Sequence, residues 1–183
     1  MSLSSTGPDP DTEQFAPETG LLQIELRMDV RTAMLEDAPE LARLRDLACE
    51  HIAQQRGGAV ALLSEFPEQD SLMASLEPGA DAERLFIIAL IGNTPVGYCS
   101  AAITQLEQGY ALCRISELFV ESPAQEIGMG ALLLQFTTQW AVERKCAGID
   151  ATVMPGDRET KNFFETFGLV ARAITVHQDL SGK

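Results

Sequence analysis

The segment from residue 114 to 154 constrains the fold most, because it reads as strand, glycine turn, helix and strand. An apolar strand, RISELFV, leads through a short loop to Gly128 and Gly130. A helix with an apolar face at three- and four-residue spacing follows over residues 129–144. The strand GIDATVM then begins at Gly148. Such a unit forms a right-handed crossover between parallel strands, so the chain is predicted to contain a parallel strand pair covered by a helix.

The remaining pattern predicts further strands covered by helices. Alternation over residues 23–31 predicts a first strand, and helical spacing with Pro39 near its start predicts a helix that Gly57-Gly58 ends. The runs LFIIALI and VGYCSAAI flank a Gly-Asn-Thr-Pro turn and predict a hairpin. A short helix over residues 157–167 and a last strand over about 170–180 complete the order. This mixed order predicts an α/β or α+β layer of helices over a sheet.

Acidic residues are concentrated in the first half of the chain. The whole chain has 27 acidic and 13 basic residues and a formal net charge of −14. Residues 1–20 are acidic and rich in Pro, Ser, Thr and Gly, which predicts a disordered or flexible tail before one domain over residues 21–183. Residues 32–83 hold eleven acidic and three basic residues. This charge disfavours nucleic acid as a direct partner, and no apolar run reaches the roughly 18–20 residues that span a membrane.

The cysteines and histidines do not have the spacing of a zinc site. The chain has two histidines and four cysteines, and no two cysteines form a CxxC motif. The N-terminus lacks the basic start and apolar stretch of a signal peptide. Reduced thiols in a cytoplasmic protein without a metal are therefore expected.

The glycine turn before the long helix has two interpretations. The first amides of a helix lack internal acceptors, and glycines let a phosphate approach them. The same glycines are also common in tight turns that bind nothing. A P-loop is excluded because Ala131 and Leu132 follow Gly130, and a dinucleotide fingerprint is excluded because its third glycine is replaced by Leu133.

The turn resembles motif A of the GNAT superfamily of N-acyltransferases, which has Arg or Gln, two variable residues, Gly, any residue, and Gly or Ala. Gln125, Gly128 and Gly130 occupy the defined positions. VRTAMLEDAPELARL resembles the family's first strand and helix, TPVGYCSA its third strand, ISELFVESP its fourth strand and DRETKNFFETFGLVAR its last conserved helix. The resemblance implies a GNAT-like mixed, mostly antiparallel sheet with a central parallel strand pair and helices on both faces.

The resemblance also implies a site for acetyl-CoA, the acyl donor. In the family, pantetheine pairs with exposed backbone on the fourth strand, which here is formed by Leu118, Phe119 and Val120. Asp157 and Phe164 stand at two further positions near the cofactor. The implied contacts to pyrophosphate are the side chain of Gln125 and the amides of Ile127, Gly128, Met129, Gly130 and Ala131.

The catalytic groups depart from the family pattern. Phe164 replaces a tyrosine that protonates the leaving thiolate in many members, and phenylalanine has no proton to donate. Asp157 replaces a frequent asparagine. Glu117 is the first candidate for the base that deprotonates the acceptor, with Ser116 a weaker one. A solvated or ion-paired strand residue is the alternative interpretation of Glu117.

Two functions follow from the resemblance. The first is N-acetyl transfer from acetyl-CoA to a primary amine by direct attack, in which a small-molecule or peptide acceptor is bound. The acidic first half suits a cationic acceptor. Relatives often dimerise, so a homodimer is a further expectation. The second function, favoured by Phe164 and Asp157, is a module that binds acyl-CoA or regulates a partner with little turnover.

Overall fold

Five strands lie side by side in chain order in one sheet of the computed structural model, which describes residues 27–66, 76–77 and 82–180. The predicted tail, residues 1–20, lies outside the described residues, and so does part of the predicted first strand. The elements are β1 Met28–Thr32, α1 Ala38–Gln54, α2 Gly58–Ser64, β2 Arg84–Ile91, β3 Thr94–Gln105, β4 Ala111–Val120, α3 Ser122–Gln125, α4 Met129–Glu143, β5 Gly148–Ala151 and α5 Arg158–Thr166.

The strand pairing confirms the predicted hairpin and crossover. Strands β1 to β4 pair antiparallel with their neighbours, and β4 pairs parallel with β5. The β2–β3 turn contains Gly92 at φ 62°, a left-handed conformation that glycine adopts without steric cost. Helix α4 connects β4 to β5, as the strand–helix–strand pattern predicts. The fold is therefore the predicted mixed sheet, with its parallel pair at β4–β5.

Helices cover both faces of the sheet because side chains alternate along the strands. On one face, Leu41 and Leu44 of α1 share a buried cluster with Phe86, Ile88 and Tyr98. On the other face, a second cluster combines α4 with the alternate strand residues; it includes Ile87, Ala89, Cys99, Met129, Leu133 and Trp140. Burial of a large apolar side chain stabilises a fold by about 1.5–3 kcal/mol, so these two clusters hold the layers together.

The predicted last strand is wrong. Residues 169–180 have no regular secondary structure, and every residue from Val170 to Leu180 is exposed. A strand needs a hydrogen-bonded neighbour as well as alternating apolar residues, and residues 170–180 do not join any strand of the described part of the chain. Arg172 instead uses its side chain to contact Asp150 of β5 through an ion pair. Within the described residues, β5 is consequently an edge strand.

Candidate active site

Strands β4 and β5 separate halfway along β4. The parallel pairing joins Leu112 to Gly148 and ends with Ile115 beside Ala151. Strand β4 continues to Val120 while still paired with β3. The last five residues of β4 therefore present an edge that β5 does not cover, which is the separation that the family resemblance implies.

A β-bulge at Ser116 decides where the side chain of Glu117 lies. Ser100 of β3 pairs with Glu117, while the next residue, Ala101, pairs with Ile115. One extra residue reverses the alternation of side chains. Ile115 consequently packs in the cluster under α4, whereas Glu117 contacts α1 on the opposite face. The bulge accounts for the irregular alternation of side chains along RISELFV.

Backbone groups on the uncovered edge come from alternate residues. The amide of Glu121 donates to Val96 of β3 at 2.9 Å, and the carbonyl oxygen of Phe119 lies 2.7 Å from where a Cβ on Gly97 would stand. Phe119 therefore directs its carbonyl towards β3. Since neighbouring residues of a strand present their backbone groups to opposite sides, Leu118 and Val120 direct theirs towards the opening.

The start of α4 offers a set of amides beside this edge. Gly128 is the N-cap residue at φ 90°, and the first helical hydrogen bond joins Leu132 N to Gly128 O at 3.3 Å. The amides of Met129, Gly130 and Ala131 precede that bond and so have no acceptor within the helix. The amide of Gly128 itself donates to the carbonyl of Gln125 at 3.1 Å. The Met129 side chain is fully buried, so only its backbone can contact a ligand.

Gln125 links the turn to the strand edge. Its Nε2 donates to the carbonyl oxygen of Val120 at 2.7 Å. The side chain therefore joins the end of α3 to the end of β4. Its neighbours Glu126 and Ile127 are exposed.

Residues of α5 pack beside the glycine turn at the start of α4. A Cβ on Gly130 would lie 3.4 Å from the ring of Phe163, so the absence of a side chain lets α4 and α5 approach. Phe164 is 6% exposed and belongs to the apolar cluster under α4. Asp157 caps α5 by accepting a hydrogen bond from the Thr160 amide at 3.0 Å. The structure thus gives Asp157 a capping contact and places an apolar ring where the family has a phenol.

The carboxylate of Glu117 lies in a buried polar cluster. Arg45 Nε of α1 is 3.1 Å from Oε1, and the Tyr98 hydroxyl of β3 donates to Oε2 at 2.5 Å. The Glu117 side chain is only 5% exposed. Burial and the adjacent carboxylate raise the pKa of Tyr98 well above its ordinary value, so the phenol remains a donor. The ion-paired interpretation of Glu117 is therefore correct as a description of its contacts.

Arg45 and Tyr98 are the site residues that sequence reasoning missed. Arg45 follows Leu44 by one residue and Leu41 by four, so it borders the buried stripe of α1. A charged residue at such a position signals a buried partner. Tyr98 alternates along β3 with the residues that face α4. This alternation is a weaker signal that Tyr98 lies on the α1 face.

The other chemical groups of the described residues do not form a metal site. Across residues 27–66, 76–77 and 82–180, no three His, Cys, Asp or Glu side chains gather in a way that could hold a metal ion. All four cysteines are free, and burial raises the pKa of the Cys99 and Cys113 thiols to about 12. No helix in this described part is long and apolar enough to cross a membrane.

Comparison with known proteins agrees with this geometry. The sequence profile of the acetyltransferase (GNAT) family matches residues 60–169. The chain belongs to the GNAT acetyltransferase family. Acyl transfer is therefore its general chemistry. A comparison with curated protein sequences finds no match.

Solved structures share the GNAT fold at low sequence identity. An aminoglycoside acetyltransferase from an uncultured soil sample is 20% identical, with a TM-score of 0.61 over 87% of this chain and 99% of its own. A ribosomal-protein-alanine N-acetyltransferase from Brucella melitensis is 16% identical, with a TM-score of 0.62 over 85% and 100%. AAC(6')-Iy in complex with a CoA bisubstrate analogue is 14% identical, with a TM-score of 0.62 over 84% and 99%.

Proposed function

We propose that this protein transfers an acyl group, most simply acetyl, from its CoA thioester to a primary amine by direct attack. The observation that carries the proposal is the uncovered edge of β4 beside the free amides at the start of α4. This arrangement provides the two kinds of contact that acyl-CoA needs: backbone partners for the amides of pantetheine, and hydrogen-bond donors for pyrophosphate.

The donor site fits the chemistry of CoA. Leu118 and Val120 present backbone groups to the opening, where pantetheine pairs as an additional strand. The amides of Met129, Gly130 and Ala131 then bind pyrophosphate at the positive end of the α4 dipole. Gln125, the exposed Ile127 and Gly128 border the same turn. Phe119, Asp157 and Phe164 support these elements from the β3 side or from α5.

The reaction requires one proton acceptor on the amine side. The bulge directs Glu117 to the α1 face, and its carboxylate takes the proton of the ammonium acceptor, directly or through water. The neutral amine attacks the thioester carbonyl, the C–N bond forms, the C–S bond breaks, and CoA leaves as a thiolate. Since Phe164 has no hydroxyl, water protonates the thiolate. Ser116 remains the weaker candidate for the base.

A cationic amine is the proposed acceptor. The acidic residues 32–83 include α1 and α2, and Asp46 and Glu50 of α1 are exposed. Their field raises the local concentration of a polyamine, an aminoglycoside or a peptide amine. The reduced thiols suit a cytoplasmic enzyme. A homodimer remains a prediction.

A second candidate function is acyl-CoA binding with little turnover. It is favoured by Phe164, which leaves the thiolate without a side-chain acid, and by Asp157, whose carboxylate is used as a helix cap. A thiolate is a fairly good leaving group, and the loss of acid assistance costs typically about 10²–10⁴-fold without abolishing transfer.

One experiment separates the two functions. The protein is mixed with acetyl-CoA and a panel of a polyamine, an aminoglycoside, lysine and a peptide with an N-terminal alanine, and free thiol is followed over time. Acetyl-CoA binding is measured in parallel by calorimetry. Thiol release that depends on an amine supports the enzyme. Tight binding without release above background on every amine supports the binding module, and the absence of both contradicts the proposed donor site.

A further inference from the structure

The Glu117 carboxylate receives a donor on each oxygen from a different element. Arg45 comes from α1 and contacts Oε1, while Tyr98 comes from β3 and contacts Oε2. An ionised carboxylate has about four lone-pair sites. Each oxygen therefore retains capacity for one more hydrogen bond, to a water molecule or an ammonium group.

Tyr98 is held rigidly. Its side chain is fully buried, and its ring contacts the rings of Phe86 and Phe119 at centroid distances of 5.9 and 6.3 Å. A buried phenol held between these two rings directs its hydroxyl to one point. That point is the carboxylate of Glu117, which the bulge at Ser116 places opposite Ser100 on the α1 face.

Burial of the Arg45–Glu117 ion pair has a high free-energy cost of desolvation. The Arg45 and Glu117 side chains are 11% and 5% exposed, and the desolvation of two buried charges often exceeds the free energy that their attraction returns. An apolar pair would fill this space without that cost. Glu117 lies two residues beyond Ile115, where the pairing of β4 with β5 ends, and this position on the uncovered part of β4 favours a functional reason for retaining the pair.

We propose that Tyr98 and Arg45 are positioning residues that hold Glu117 oriented as the proton acceptor of the acyl transfer. This inference rests on the proposed function. In it, Glu117 is the catalytic residue, and the two donors act only through Glu117. The proton passes from the ammonium nitrogen to a carboxylate oxygen and then to solvent.

The two thiols near the cluster remain protonated. Cys49 of α1 and Cys99 of β3 are within electrostatic range of Glu117, and burial raises the pKa of both thiols, that of Cys99 to about 12. Asp46 of α1 acts on Cys49 from the exposed side of the helix. A change in kcat is therefore assigned to the cluster and not to these thiols.

A double-mutant cycle tests the inference. We expect Glu117→Gln to lower kcat by about 10²–10⁴-fold and Tyr98→Phe to lower it by about tenfold or more, since small misplacements of a reacting group can cost up to about 100-fold. The KM for acetyl-CoA should change little in both. A loss of kcat without a rise in KM is a readout that damage to the donor site would not give. On the Glu117→Gln background, Tyr98→Phe should cost nothing further.

Matched variants control for structural damage. Tyr110→Phe removes the hydroxyl of an exposed tyrosine outside the cluster, and Arg27→Lys makes an exposed charge-conserving change. Both variants should leave kcat and the KM for acetyl-CoA unchanged. Arg45→Lys retains the charge but loses the geometry of the Nε contact, and we expect an intermediate loss of kcat. Thermal melts establish that each variant is folded.

The possible outcomes test the positioning role and the acyl transfer separately. An active wild-type protein in which Tyr98→Phe leaves kcat unchanged, or in which the losses of kcat from Tyr98→Phe and Glu117→Gln are additive, overturns the positioning role and leaves acyl transfer intact. A wild-type protein that releases no thiol with any amine overturns the proposed function and this inference together.

Discussion

The side-chain amide of Gln125 donates a 2.7 Å hydrogen bond to the carbonyl oxygen of Val120. Gln125 ends α3, and Val120 ends β4, so the bond joins the glycine turn to the uncovered strand edge. The two surfaces that we propose to contact different parts of acyl-CoA are thereby held at a fixed separation. The motif residue that the family resemblance assigns to pyrophosphate thus also has a structural contact in this chain.

Replacing Gln125 should weaken donor binding modestly. Gln125→Ala removes a hydrogen bond whose net value is about 0.5–1.5 kcal/mol, and we expect the Kd for acetyl-CoA to rise by about 2–10-fold. Calorimetry measures the change. Gln135→Ala, an exposed glutamine on α4, is the matched control and should bind normally. Equal affinity in both variants would show that the link is not needed for binding.

A carboxylate at Gly128 should abolish acetyl-CoA binding. No atom lies within 4 Å of a Cβ built on Gly128, so Gly128→Glu can fold with its charge beside the amides proposed to bind pyrophosphate. Its φ of 90° makes any side chain cost roughly 1–2 kcal/mol. Gly109→Glu, at φ 77° in the turn before β4, carries the same strain away from the site. We expect similar losses of stability and a loss of affinity in Gly128→Glu alone; retained affinity there contradicts the assignment.

Much of the architecture can be predicted from local patterns. The spacing of Leu41, Leu44 and Ala48 predicts α1, and the Gly-Asn-Thr-Pro turn predicts the β2–β3 hairpin. The glycine at 128 predicts the start of α4. These features depend on residues that are close in the chain, where periodicity and turn chemistry act directly.

The remainder depends on contacts between distant residues. A bulge reverses every side chain beyond it, so the face of Glu117 follows from the register between Ser100 and Glu117 and not from the composition of β4. Its partners Arg45 and Tyr98 lie on two other elements. Alternation alone predicts the last strand. Among the described residues, however, Val170 to Leu180 do not pair with a neighbouring strand.

The ion pair between Arg31 and Asp37 should make the free energy of unfolding depend on pH in the acidic range. Hydrogen bonds from Arg31 at 2.6 and 2.8 Å, and from the Met34 amide at 2.8 Å, hold the pKa of Asp37 below its ordinary value. This stabilisation is present above the unfolded pKa of about 3.9 and is lost as pH falls through the folded value. Asp37→Asn should cost about 1.5–3 kcal/mol at neutral pH.

Urea unfolding of the wild type and Asp37→Asn at two pH values measures this effect. The difference between them should shrink below about pH 4. Asp29→Asn is the control, because its pair with Arg27 is 3.8 Å long and largely exposed, and we expect almost no change. A difference for Asp37→Asn that is independent of pH would contradict the ion-pair explanation.

Salt should slow the reaction with a polycation. If residues 32–83 attract the acceptor, kcat/KM for a polyamine falls as ionic strength rises, because the screening length is about 10 Å at 0.1 M salt. A monoamine, with less charge to steer, should show a smaller effect. Steady-state rates over a salt series test this. An equal dependence of kcat/KM on ionic strength for the two acceptors would contradict steering and leave solubility as the role of the acidic residues.

The most direct measurement of the central claim is the mass of the acceptor after incubation with acetyl-CoA that carries an isotopically labelled acetyl group. The wild-type protein should add the labelled acetyl to at least one amine of the panel, with an equal amount of free CoA, and Gly128→Glu should add none. Unlabelled amines throughout, with acetyl-CoA bound but intact, would contradict acyl transfer as the function of this site.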